Sequence, residues 1–170
     1  MFGKFCLLLL SLFILTGCAN TNTVPNTAVD AKKDAPYEKT LDRVLISMSL
    51  DHSFFDEKEI AQSFSNRLSK RGITIKTIVL KPNPLDLEPG KNLKVAIWAF
   101  VPHQVFEISV IRSFISSMGS SFVLEGKLYE TATNKQVWHF TYSGSGARLE
   151  ADRFVDTVIQ KLDADGLLPP

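Results

Sequence analysis

The sequence predicts a single α+β domain: a mixed, largely antiparallel sheet with two amphipathic helices packed on one face, in the order β-α-β-β-β-β-α. Three observations lead there. Two segments repeat apolar residues at helical spacing, Ile60, Phe64, Leu68 early in the chain and Phe154, Val158, Leu162 late in it. The segments between are short β-prone runs broken by Pro, Gly and Asn. The opening strand–helix–strand suggests a right-handed crossover, whereas the later strands are joined by hairpin-length links.

Leu41 to Leu50 (LDRVLISMSL) is mostly apolar and β-rich, as suits a strand buried on both faces. A helix is predicted over 57–71. Asp56 is its N-cap, with Glu59 three residues on as in a capping box, and Phe55 and Ile60 form a hydrophobic staple. Arg67, Lys70 and Arg71 favour the negative end of the dipole, and Gly72 fits the C′ position. Ile73 to Leu80 alternates as a second strand. The stretch KPNPLDLEPGKN (81–92) then interrupts regular structure with its prolines and glycine.

Leu93 to Val101 is apolar enough for a central strand ended by Pro102, and Val105 to Ile115 is a further β-prone run. Ser120 to Glu130 and Gln136 to Tyr142 make the most legible pair. Phe122, Leu124 and Leu128 share one face of the first, and Trp138, Phe140 and Tyr142 share one face of the second. The link TATNK suits a short hairpin turn. A closing helix is predicted over 149–162, stopped by Gly166 and the terminal prolines. Both amphipathic stripes are buried at once if the two helices cover the same face of the sheet.

The chain has 170 residues, 45% apolar and 22% charged, enough for one domain with a core that needs no staples. Its formal net charge is +1, which sets up no field to recruit nucleic acid or an anionic bilayer. The N-terminus has a separate character. Lys4 precedes an apolar run, Phe5 to Leu15, which is well short of the roughly 20 residues of a spanning helix. That run ends in Leu15-Thr16-Gly17-Cys18, which resembles the lipobox of bacterial lipoproteins. The resemblance implies export, diacylglyceryl attachment to the Cys18 sulfur, cleavage between Gly17 and Cys18, and acylation such as palmitate at the new N-terminus. Residues 1–17 are then the signal peptide, 18–40 a lipidated cysteine and flexible tether, and 41–170 the globular domain.

Cysteine usage agrees with that division. Cys6 lies within the leader and Cys18 in the lipobox, so the exported domain has no thiol for a disulfide, a nucleophile or a zinc site. Residues 19–40 are rich in Asn, Thr, Ala, Lys, Asp and Pro and show no sustained periodicity. As a coil they span roughly 25 Å. Fully extended, their limit is about 70 Å.

The segment FVLEGKLYETATNKQVWHF, the Gly/Ser linker after it and a closing helix ending in Asp165-Gly166-Leu167-Leu168-Pro169 resemble a group of small Gram-negative envelope lipoproteins. The group includes penicillin-binding-protein activator lipoprotein B and the N-terminal part of the curli-secretion lipoprotein. The likeness covers residues 41–168 in element order and 120–168 in motif. This chain has Glu130 and Thr131 where an Asp is usual, and Asn134 where the turn often has Gly. The resemblance implies a non-enzymatic role in binding or assembly; the expected place is the outer membrane, facing the periplasm. Ala19 after the cysteine, rather than Asp, favours outer-membrane sorting.

No catalytic set, cofactor motif or metal-ligand spacing is evident. His52, His103 and His139 are far apart in sequence, without the i, i+4 spacing of a helical metal site. The Gly/Ser stretch 143–146 lacks the third glycine and the Lys of a phosphate loop. The serines at 113, 116, 117, 120 and 121 sit in no G-x-S-x-G elbow. Glu107, Glu125 and Glu130 are the carboxylates that a glycosidase pair would need, although acidic residues on strands usually face solvent. Two surfaces are candidates for a protein partner. One is the Pro-rich loop with Pro82, Pro84, Leu85 and Leu87; the other is the serine-rich stretch with Phe114, Ile115 and Met118. A small-molecule or lipid cavity between sheet and helices is the alternative, against which the bulky inward Phe, Trp and Leu residues weigh.

Overall fold

The structure, a computed structural model, describes residues 28–34, 37–50, 55–81, 90–117, 119–146 and 148–170. The elements run β1 (Ala28–Lys33), β2 (Arg43–Ser49), α1 (Glu57–Ser69), β3 (Thr74–Val79), α2 (Lys91–Phe100), β4 (Gln104–Ser116), β5 (Gly119–Glu130), β6 (Lys135–Ser145) and α3 (Ala151–Ala164). The six strands form one sheet in the order β1-β6-β5-β4-β2-β3. β2 is parallel to both of its neighbours, and every other pairing is antiparallel. The α+β class and mixed sheet are those the sequence predicts.

Topology decides which helix covers which face. The β2–α1–β3 crossover steps outward to the edge strand, and the β3–α2–β4 crossover steps back past β2. Crossovers of one hand run in opposite lateral directions put their helices on opposite faces. Accordingly α1 and α3 share the main core with Val44, Ile46, Met48, Phe106, Leu124, Leu128 and Phe140. α2 packs on the other face, against Leu45, Ile78 and Val105.

The local signals at α1 act as expected. The Asp56 carboxylate accepts from the Lys58 and Glu59 amides, both at 3.1 Å, and Phe55 and Ile60 are buried. At the other end Gly72 takes φ +76°, and the Ile73 amide bonds back to the Leu68 carbonyl at 3.2 Å. α1 and α3 are also joined by charge. Arg67 donates to Asp152 at 3.0 Å and, through Nε and Nη2, to Asp156, while Ser63 Oγ donates to Asp152 at 2.7 Å. These hydrogen bonds hold both carboxyls below their ordinary range: Asp152 by Ser63 first and then Arg67, and Asp156 by Arg67.

Aromatic rings fill the space between the sheet and this helix pair. Phe106, Trp138, Phe140 and Phe154 are linked by ring contacts at 5.5–6.0 Å, and Tyr142 meets Phe154 edge-on at 5.0 Å. The Phe140 ring occupies the place a side chain would take at Gly126. A Cβ there would lie 1.9 Å from Phe140 Cε1. Glycine at 126 is thus the complement of the large ring opposite it in the ladder.

Two expectations are corrected. Residues 93–101 are helical rather than a central strand. Leu93, Ala96, Ile97 and Phe100 fall at i, i+3, i+4 and i+7 and form one inward stripe, while Lys94, Val95 and Trp98 face outward. The apolar outer ridge disguises that period as an unbroken apolar run. The second correction concerns the tether. Residues 28–33 are an edge strand whose Val29 and Ala31 pack on the main core, and Tyr37 is buried beyond it. An edge strand gains its place largely from ladder hydrogen bonds, so it needs few apolar residues to declare itself. Residues 18–27, including Cys18, and the signal residues before them lie outside the described part.

Candidate interaction surfaces

Three regions of the described surface have the chemistry of a site. The first is the outer side of α2. Trp98 is 84% exposed, and Val95 and Val101 are exposed beside it. The ridge is held rigidly from beneath. Arg43 donates from Nε and Nη2 to the Phe100 carbonyl at 2.9 and 2.6 Å and from Nε to the Val101 carbonyl at 3.1 Å, so the last turn of α2 is capped by β2. Val101 leaves the helix at φ 50°, a strained conformation for a β-branched residue, and Pro102 follows.

The second region is the tip of the β4–β5 hairpin. Phe114 and Ile115, expected from the sequence as a partner surface, are 62% and 65% exposed. They are adjacent on one strand and therefore face opposite ways. Ile111, also exposed, is the extra residue of a bulge between Val110 and Arg112. The bulge bends the strand and strengthens its twist. Met118 lies outside the described residues, as do Pro82, Pro84, Leu85 and Leu87 of the proline-rich loop.

The third region is an open cleft of about 780 Å³ at the other end of the sheet, where β2 and β4 begin and β5 ends. It is lined by Lys39, Asp42, His103, Gln104, Glu130 and Thr131 among others. Lys39 pairs with Glu130, whose second oxygen accepts from Thr133 Oγ1 at 2.7 Å. The Lys39 hydrogen bond, followed by that of Thr133, holds the Glu130 carboxyl below its ordinary range. His103 Nδ1 lies 2.7 Å from Asp42 Oδ2, with both side chains more than half exposed. Gln104 is buried; its Nε2 donates to the Tyr37 hydroxyl at 3.0 Å and its Oε1 has no partner among the described residues.

These placements bear on the sequence candidates for chemistry. His103 and His139 are on separate parts of the sheet; His103 meets Asp42, and His139 lies 3.9 Å from Asp34, while His52 is outside the described residues. Among the described residues no three His, Cys, Asp or Glu side chains are grouped to hold a metal. Glu107 and Glu125 lie on the sheet face that carries α2, apart from Glu130 in the cleft. Burial pushes the Glu107 carboxyl up, partly offset by Lys127, which faces it across the ladder. The serines 113, 117 and 121 are exposed at the hairpin tip. Among the described residues no helix is long and apolar enough to cross a membrane.

Sequence reasoning missed the α2 ridge and the cleft. Arg43 and Phe100 are far apart in the chain, and only the crossover that returns α2 over β2 brings them together. The cleft is lined in part by Glu38, Lys39 and Thr40, which belong to the segment read as tether.

No family model matches the chain, and no curated protein matches it. Solved structures do. PelC from Paraburkholderia phytofirmans, a dodecamer, is 16% identical with a TM-score of 0.52, covering 85% of this chain and 99% of its own. Lipoprotein GNA1162 from Neisseria meningitidis is 12% identical with a TM-score of 0.39, covering 72% and 99%. XCC0632 from Xanthomonas campestris, a DUF330 protein, is 11% identical with a TM-score of 0.38, covering 79% and 87%. At these identities the comparison with PelC concerns the fold alone, and it is that fold which this chain shares.

Proposed function

We propose that the chain is a membrane-anchored envelope lipoprotein that acts as a non-enzymatic protein-binding factor in assembly or regulation. Its anchor is the acylated Cys18, and its place is the outer membrane on the periplasmic side. The observation that carries the protein-binding reading is the α2 ridge. An exposed tryptophan on a rigidly capped helix, flanked by Val95 and Val101, is the type of anchor on which protein interfaces centre. The motif likeness to penicillin-binding-protein activator lipoprotein B and the curli-secretion lipoprotein supports the same reading. PelC, whose fold the chain shares, was solved as a dodecamer, so a second copy of the chain is one partner to be tested.

A photo-crosslinking residue placed at position 98 of the full chain, in intact cells, tests the proposal. It is expected to capture one discrete envelope protein or a second copy, and Val95→Asp is expected to abolish that capture. Labelling that yields no discrete adduct overturns the reading.

The cleft favours a second reading, a small-molecule-binding module. Its volume lies in the range of about 300–1,000 Å³ usual for ligand sites. Gln104 lines it, and the buried Gln104 Oε1 has no hydrogen-bond partner among the described residues. Native mass spectrometry of chain purified from membranes checks it: a bound small molecule, lost in Gln104→Leu, supports the module, and an unliganded mass opposes it.

A further inference from the structure

The hairpin tip lies at the end of the sheet where β1 begins. β1 runs antiparallel to β6, β6 antiparallel to β5, and β5 antiparallel to β4, so the start of β1 lies at the finishing end of β4. The register makes this concrete: Arg112 pairs with Val123, Val123 with Ser143 and Ser143 with Ala28, one row across four strands. At about 4.8 Å per strand, Ala28 and Arg112 are separated by about 14 Å across the sheet. Phe114 and Ile115 lie further along β4 than that row, at the end of the sheet where β1 begins. Cys18 is ten residues before Ala28, a reach of at most about 35 Å.

We propose that the tip of the β4–β5 hairpin, through Ile111, Phe114 and Ile115, inserts into the surface of the bilayer that holds the acyl anchor. The proposal rests on the reading of Cys18 as acylated. It deepens the partner surface expected at Phe114 and Ile115 by naming a lipid surface as what they meet.

Two features favour lipid over a protein partner. Adjacent strand residues point to opposite faces, so Phe114 and Ile115 present one large apolar side chain on each side of the tip, among small serines. A protein patch of ordinary shape covers one side of a hairpin, whereas an interfacial layer surrounds it. The charge of the tip also fits. From Ile108 to Leu124 the chain has no acidic residue, and its one charged side chain is Arg112, exposed and suited to anionic headgroups. The α2 ridge differs in position. Its C-terminal end, with Trp98, is beside Arg43 at the start of β2, at the far end of the sheet from the tether. One end of the domain thus meets lipid and the other is left for a partner.

The test uses the full acylated chain in vesicles of phosphatidylethanolamine and phosphatidylglycerol, with and without bromine on the acyl chains. Phe114→Trp is made in a Trp98→Phe background, where the buried Trp138 supplies a constant signal. The added tryptophan is expected to emit at shorter wavelength and to lose intensity to the brominated chains, whereas Trp98 of the parent chain does neither. A chain that floats with the vesicles while position 114 keeps water-like, unquenched emission overturns the hairpin contact and leaves the anchor standing. Equal quenching at 98 and 114 overturns the assigned orientation. A chain that does not float with vesicles overturns both the anchor and the hairpin contact.

Discussion

Arg43, the first residue of β2, holds the end of α2 through Phe100: its guanidinium donates to the Phe100 carbonyl and its Cζ lies 4.3 Å from the centre of the Phe100 ring. One side chain thereby satisfies backbone acceptors left open at a helix end and stacks on the residue that bears one of them. Arg43→Ala is expected to cost about 1–3 kcal/mol in urea unfolding. Arg43→Lys should recover little, because an ammonium lacks the planar fork that bonds and stacks together.

The turn that follows stores strain that a small substitution releases. Val101 sits at φ 50°, where a β-branched side chain is disfavoured. Val101→Gly is expected to stabilise the domain by about 0.5–1 kcal/mol, the relief of backbone strain exceeding the added freedom of the unfolded chain. Thermal unfolding with a raised midpoint checks this; a lowered midpoint contradicts it.

Gly126 makes the opposite prediction. A methyl group there would enter the volume of the Phe140 ring, so Gly126→Ala is expected to destabilise by about 1–3 kcal/mol. Adding Phe140→Leu should restore part of that loss, and the double-mutant cycle in denaturant measures the coupling.

Acid should act on the α1–α3 interface. Asp152 and Asp156 titrate lower in the folded chain than in the unfolded one, so their contribution is complete above the unfolded aspartate value of about 3.9 and is lost as pH falls through the depressed folded values. Glu107 has the reverse sign, since its folded carboxyl titrates higher; ionising it disfavours folding, and stability is gained as pH falls through its raised value. Arg67→Met is expected to cost about 1 kcal/mol at neutral pH and to flatten the acid limb of a stability-versus-pH curve.

The anchor has its own test. Cys18→Ser should give a product without acyl chains that no longer fractionates with membranes, because two or more chains are needed for stable anchoring. A membrane-bound variant of unchanged mobility contradicts the lipobox reading.

The elements most legible in the sequence are those in which capping, periodicity and burial agree. α1 has Asp56, Ile60 and Gly72 all pointing to one helix, and β5 and β6 set Phe122, Leu124, Leu128 and Trp138, Phe140, Tyr142 on one face. α2 is where two readings compete. Its inward stripe of Leu93, Ala96, Ile97 and Phe100 is helical, yet Val95 and Trp98 fill the gaps with apolar residues that the fold leaves outside. That mismatch between local pattern and burial marks the ridge as a candidate surface. β1 was hidden for another reason: its partner β6 lies at the other end of the chain, and pairing of that kind leaves no local trace. The cleft inherits the same opacity, since Tyr37 and Gln104 meet only once the sheet is closed.

The pairing of Ala28 with Ser143 also sets an order of events. β1 is the first described strand of the chain and β6 the last, so in a chain delivered N-terminus first β1 has no partner until almost everything else has arrived. The hairpins β4–β5 and β5–β6 close short loops and can form early; β1 must wait, because a loop of that length closes slowly and only onto a finished edge. Docking of β1 takes the six residues Ala28–Lys33 into the sheet, so under the proposed acylation of Cys18 it is this late step that sets how much chain is left between domain and anchor.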